Sequence, residues 1–131
     1  FGGNPIVTAV AGAAFMKINT PEMLSGVLNK GAFIRKHLES LNDELSLFET
    51  IRGRGLMIGA VLSKAWQNKS PAMVTACQQQ GVLMLIAGPS VLRFLPPLNI
   101  AEEELKIGLN RVGQALRNIH SEELAAGSKS E

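Results

Sequence analysis

Between Leu45 and Leu47 the spacing of apolar residues switches from helical to strand-like, and a chain that does this must pack helix against sheet. Upstream, Leu24, Val27, Leu28, Ile34, Leu38, Leu41 and Leu45 keep a helical spacing, with Lys30, Arg35, Lys36 and Glu39 on the other side. A helix of this kind buries one face. Thr20-Pro21-Glu22 opens it with an N-cap, a proline at the first helical position and an acid at the positive helix end; it is predicted to reach about Asn42. Downstream, Leu47–Ile51 and Leu56–Leu62 are strand-like and are separated by Arg52-Gly53-Arg54-Gly55, whose glycines permit a tight reversal or a bulge.

The same punctuation repeats toward the C-terminus. Ser70-Pro71 begins a helix predicted to reach about Gln80, where Gly81 stops it. Val82–Ile86 resumes strand character, Ala87-Gly88-Pro89-Ser90 turns, and Val91–Leu95 follows until Pro96-Pro97, which cannot donate to a ladder. A last helix is predicted from about Glu102 to Ile119, with Leu105, Leu109, Val112, Leu116 and Ile119 in helical register, and Ser121–Glu131 reads as a frayed polar tail. At the other end, Phe1-Gly2-Gly3-Asn4-Pro5 combines turn glycines, an asparagine N-cap and a helix-starting proline. The helix it begins, Pro5 to about Ile18, is apolar on almost every face, the signature of a buried helix. Helices and hairpins in this order imply a small antiparallel sheet with helices packed on it, an α+β domain.

A chain of 131 residues suits one domain able to bury roughly two thirds of its unfolded surface. With 46% hydrophobic and 18% charged residues it is rich in apolar surface, which points to a neighbouring part of the molecule. The start of the chain inside a turn-plus-helix signal points the same way: these residues are expected to be the tail portion of a longer protein. A net charge of +2, spread along the chain, lacks the basic footprint of nucleic-acid binding. One cysteine, Cys77, excludes an internal disulfide, and one Cys with two distant His makes no metal cluster. The longest apolar run, Ile6–Met16, is too short to cross a bilayer, and no basic signal region precedes it. Neither nucleic acid nor membrane is expected as a partner, and the cytoplasm is the expected compartment.

Among side chains with chemical potential, Arg93 stands out. It sits in Val91-Leu92-Arg93-Phe94-Leu95, where alternation puts it on the face of Val91 and Leu95. Two readings stand: an anion reader whose planar fork matches a carboxylate, or the more common structural ion pair or edge-snorkelling arginine. Phe1-Gly2-Gly3-Asn4 offers backbone N–H groups at a helix start, an anion site or simply a turn. His37 reads as a solvated helix residue, His120 as a helix C-terminal cation and Cys77 as a packed thiol. No catalytic set is found.

Taken in order, Phe1-Gly2-Gly3-Asn4-Pro5, Ile18-Asn19-Thr20-Pro21-Glu22-Met23-Leu24, Ile51-Arg52-Gly53-Arg54-Gly55-Leu56-Met57-Ile58-Gly59, Gly81-Val82-Leu83 and Leu92-Arg93-Phe94-Leu95-Pro96-Pro97-Leu98 resemble the C-terminal part of class III pyridoxal-phosphate aminotransferases. The resemblance extends up to the tail and is nearest to members acting on N-acetylornithine, with those acting on succinylornithine next. It implies a fold-type I transferase: residues 1–19 as the end of the large α/β cofactor domain, 20–120 as the small C-terminal α+β domain, and 121–131 as a flexible tail.

The implied activity is transfer of the side-chain amino group of N-acetylornithine to 2-oxoglutarate in arginine biosynthesis, or of the succinyl analogue in arginine breakdown. The implied cofactor is pyridoxal 5'-phosphate, bound through a lysine upstream of Phe1, so that the seven lysines present read as surface charges and these residues alone are expected to be inactive. By resemblance Arg93 binds a substrate carboxylate, Phe1, Gly2, Gly3 and Asn4 lie by the cofactor phosphate at a homodimer interface, and Arg52–Gly55 is structural. The partners implied are the two substrates, the rest of the polypeptide and a second copy. A non-catalytic self-association module is the alternative.

Overall fold

The computed structural model describes residues 2–127; Phe1 and Lys129 fall outside the described residues. In chain order the elements are α1 (Pro5–Ile18), α2 (Pro21–Leu45), β1 (Phe48–Arg54), β2 (Met57–Leu62), a 3-10 turn (Lys64–Trp66), α3 (Ser70–Gln79), β3 (Leu85–Ile86), β4 (Val91–Phe94) and α4 (Glu102–Gly127). The expected α+β architecture is present. The strands form one antiparallel sheet in the order β1-β2-β4-β3.

The helix starts follow their caps. Asn4 Oδ1 accepts from the Ile6 N–H at 2.9 Å, and Thr20 Oγ1 accepts from the Met23 N–H at 3.2 Å, each just before a proline. Helix α2 ends where Ser46 turns left-handed (φ 53°). Asn42 then brackets the first strand residue: its amide donates to the Phe48 carbonyl at 3.0 Å and accepts the Phe48 N–H at 2.6 Å.

Helices α2, α3 and α4 cover one face of the sheet. Ile34, Leu38 and Leu41 of α2, Met73 and Cys77 of α3, and Leu109, Val112 and Leu116 of α4 meet Ile58, Ala60, Leu62, Leu92 and Phe94 from β2 and β4. Each fully buried large apolar side chain contributes about 1.5–3 kcal/mol. Ser70 is the polar residue in this core, and its hydroxyl donates to the Gly88 carbonyl at 3.1 Å.

Four expectations are corrected. Helix α1 forms where predicted, yet it has no buried residue: Ile6, Val10, Phe15 and Met16 are all exposed, because no other described element covers them. Strand β1 continues through Arg54 rather than ending at Ile51, since Gly53 (φ 130°) lies so close to Met57 that a Cβ there would be 2.0 Å from its carbonyl oxygen. The bulge falls instead between Phe48 and Thr50. Only Leu85–Ile86 of the predicted 82–86 strand pairs in the ladder. Finally, α4, expected to end near Ile119, runs on through Gly127; Glu122 to Ala126 are good helix formers, Glu123 pairs with Lys69, and residues 128–131 of the expected tail lie outside the described residues.

Candidate functional site

Arg93 stands in β4 between the core residues Leu92 and Phe94 and is exposed on the opposite, helix-free face. Alternation puts it on the face of Val91 and Leu95, without saying which face meets the core. Among the described residues its guanidinium has no hydrogen bond or ion pair, so the structural-pair reading finds no partner here. Arg93 also borders a cleft of about 420 Å³ walled partly by the helices and otherwise lined mainly by apolar residues, among them Leu85, Pro96 and Pro97 and, from α2 and α4, Ile34, Leu105 and Leu109. Glu104 is the acid on that cleft, and no ion pair joins it to Arg93. Pro96 and Pro97, which follow β4, line the cleft, and Lys30 Nζ donates to the Leu98 carbonyl just beyond them at 2.9 Å.

The ladder places further charge beside Arg93. Arg93 faces Gly59 of β2 and Leu85 of β3, and Gly59 in turn faces Arg52 of β1. Paired residues share a face, so Arg52, Arg93 and, one row away, Arg54 all stand on the side of the sheet that the helices leave open. None of the ladder-paired positions on that face carries an acid. The backbone around Arg52 is held by another residue that sequence reasoning missed: Arg35 of α2 donates to the carbonyls of Ile51 at 2.6 Å and Gly53 at 3.2 Å.

At the N-terminal turn, Gly2, Gly3 and Asn4 are exposed; Gly3 adopts φ 85°, and the amide oxygen of Asn4 is engaged in capping. Phe1 lies outside the described residues. A Cβ on Gly2 or Gly3 would meet nothing within 4 Å, and α1 lines no part of the cleft by Arg93. Among the described residues, Gly2, Gly3 and Asn4 do not by themselves form a pocket that fits pyridoxal phosphate.

The other candidates have structural surroundings. Burial of His37 beside α4 holds its imidazole below the ordinary value; a hydrogen bond with the Leu109 backbone opposes this and the Arg117 cation adds to it. His120 is not at a helix end, because α4 continues; it stacks on Trp66 with centroids 5.6 Å apart. Burial pushes the Cys77 thiol up to about 11, as befits a packed thiol. Lys69 pairs with Glu123 and Lys106 with Glu103. Among the described residues no three His, Cys, Asp or Glu gather to hold a metal, and no helix is long and apolar enough to cross a membrane.

Comparison with known proteins gives this geometry its context. The family model for aminotransferase class-III matches residues 1–116. The chain is 40% identical over 119 residues to an acetylornithine aminotransferase of Vibrio parahaemolyticus, covering 91% of this chain and 30% of the relative. It is 42% identical over 116 residues to a succinylornithine transaminase of Photorhabdus laumondii, covering 88% and 29%. The crystal structure of N-acetylornithine aminotransferase from Stenotrophomonas maltophilia superposes with a TM-score of 0.86 at 41% identity, over 92% of this chain and 33% of that one. The chain thus spans about a third or less of the length of these relatives, and its sheet and helices have the α+β architecture of the small domain of fold-type I aminotransferases. With the family model matched over nearly its whole length and the domain's architecture reproduced, the chain belongs to the class III aminotransferases, which are pyridoxal-phosphate-dependent enzymes.

Proposed function

We propose that these residues are the C-terminal part of an enzyme that transfers the side-chain amino group of N-acetylornithine to 2-oxoglutarate in arginine biosynthesis, and that Arg93 binds a substrate carboxylate. The observation that carries the reading is the placement of Arg93: exposed, without an ion-pair partner among the described residues, and carried by a strand between two core side chains. A guanidinium carried on such a strand, with its donors unused among the described residues, suits bidentate capture of a carboxylate. Similarity to proteins named acetylornithine aminotransferase supports the substrate. The equally close succinylornithine transaminase supports a second reading, in which the donor carries a succinyl group and the pathway is arginine breakdown.

In this reading residues 1–19 end the cofactor domain and the small domain runs from Thr20 along α4. The exposed apolar flank of α1 is consistent with cover from the rest of the polypeptide or from a second copy in a homodimer. Pyridoxal phosphate and the lysine that carries it belong to residues beyond these, with Phe1, Gly2, Gly3 and Asn4 near its phosphate. The cofactor serves as electron sink in amino transfer. We place the enzyme in the cytoplasm.

The test is an assay of the whole protein, loaded with pyridoxal phosphate, using 2-oxoglutarate and either N-acetylornithine or N-succinylornithine. Glutamate formation with the acetyl donor at the higher kcat/KM supports the first reading, and with the succinyl donor the second. No glutamate from either donor rejects both. Residues 1–131 alone are expected to show no amino transfer; turnover by them would contradict the placing of the lysine elsewhere.

A further inference from the structure

We propose that Arg52 is a second anion-binding group, acting with Arg93 on the same carboxylate-bearing substrate across the bare backbone of Gly59; the identity of that substrate rests on the reading of Arg93 given above. The row Arg52, Gly59, Arg93 is set by the ladder. With neighbouring strands about 4.8 Å apart, the two arginine Cα atoms lie about 10 Å apart on one face. Two side chains of this length can span that gap, and Gly59 between them carries no side chain.

Gly59 is the telling residue. It lies inside a central strand, where glycine weakens the ladder and often marks close approach of a ligand. It is absent from the positive-φ glycines, so the backbone does not require it. Packing opposes a side chain only mildly: a Cβ would stand 3.3 Å from Val91 Cγ1. A ladder position without a side chain, flanked in its row by two arginines, leaves room for a carboxylate between two guanidinium groups.

Internal roles do not account for Arg52. Its own strand is tied to α2 by Arg35, which occupies the Ile51 and Gly53 carbonyls, while Arg117 and Lys69 have acids of their own. Among the described residues Arg52 and Arg93 have no ion-pair partner, and their mutual repulsion is relieved by an anion between them.

The test uses the whole enzyme and glutarate, a non-reacting dicarboxylate, titrated by calorimetry into wild type, Arg52→Gln, Arg52→Lys and Arg54→Gln. Arg54 lies one row away on the same face and controls for loss of charge alone. Arg52→Gln is expected to weaken glutarate binding at least about tenfold, with Arg52→Lys intermediate. Arg54→Gln should stay within about twofold, because screening blunts a charge that makes no contact. Should Arg52→Gln fail to fold, Arg52→Lys decides: weakening by about threefold or more with an unchanged Tm supports the site, and wild-type affinity overturns it. Wild-type affinity in Arg52→Gln, an equal loss in Arg54→Gln, or no glutarate binding by wild type would each overturn the proposal. The last includes the case in which an acid elsewhere in the polypeptide or in a second copy occupies the pair. Amino transfer by wild type is scored separately, so failure of the assigned activity is distinguishable from failure of this site.

Discussion

Gly31 of α2 lies against Gly55 in the turn between β1 and β2 so closely that a Cβ on Gly31 would sit 2.3 Å from the Gly55 carbonyl oxygen. The contact seats the helix on the hairpin that carries Arg52. Gly31→Ala improves helix propensity by up to about 1 kcal/mol, but forcing two backbones apart costs about 1–3 kcal/mol. The expected result is a lower urea midpoint with native-like circular dichroism. A midpoint at or above wild type would show that the hairpin yields freely.

Cys77 has no exposed surface, and burial pushes its thiol up to about 11, so at pH 8 only on the order of one molecule in a thousand carries a thiolate. A thiol-specific disulfide reagent should therefore leave the folded protein unlabelled over times that consume a cysteine peptide, and label it promptly in denaturant. Rapid stoichiometric labelling under native conditions would contradict the packing.

Acid should destabilise the fold in two stages. His37 is held below its ordinary value chiefly by burial, so the unfolded chain takes up the proton first; the stability involved is complete above about pH 6.5 and declines as pH falls through the lowered folded value. Glu44 is held low chiefly by its hydrogen bonds from Arg117, Nε and Nη2 each at 2.8 Å; the pair is exposed and screened, so its contribution is small, present above about pH 4.3 and lost as pH falls through the lowered folded value. Denaturation midpoints measured from neutral to acid pH should show His37→Gln flattening the first stage and Glu44→Gln the second. A wild-type profile that is level through the histidine range, or one unchanged by His37→Gln, would remove the first claim.

Strand alternation was enough to separate Arg93 from Leu92 and Phe94, while it is their burial in the structure that turns Arg93 outward. It could not reveal Arg52 beside Arg93. That neighbourhood depends on β2 pairing with β4, a contact between two separate hairpins whose register is set by core packing rather than by local spacing. The apolarity of α1 likewise signals surface suited to cover without saying what covers it. Ser121–Gly127 lacks an apolar period but keeps helical propensity, and its ion pair and the nearby Trp66–His120 stack are tertiary contacts. Arg35 and Asn42 act by bonding distant backbone, which leaves no mark in their own sequence neighbourhood.

Arg93 provides the sharpest test of the assigned function. If its guanidinium holds a substrate carboxylate through two charge-assisted bonds, Arg93→Lys keeps the charge but loses the fork, and Arg93→Ala loses both. Loss of the contact should cost on the order of 2–5 kcal/mol of transition-state stabilisation, tens to thousands of fold in kcat/KM. The fold should be spared, because Arg93 is exposed and anchors no other described residue. A structural arginine would behave in the opposite way, lowering Tm while leaving the kinetics of the folded fraction nearly intact. The measurement is steady-state kinetics of the cofactor-loaded whole enzyme, for donor and 2-oxoglutarate separately, with Tm recorded alongside. Wild-type kcat/KM for both substrates in a folded Arg93→Lys enzyme would end the carboxylate role.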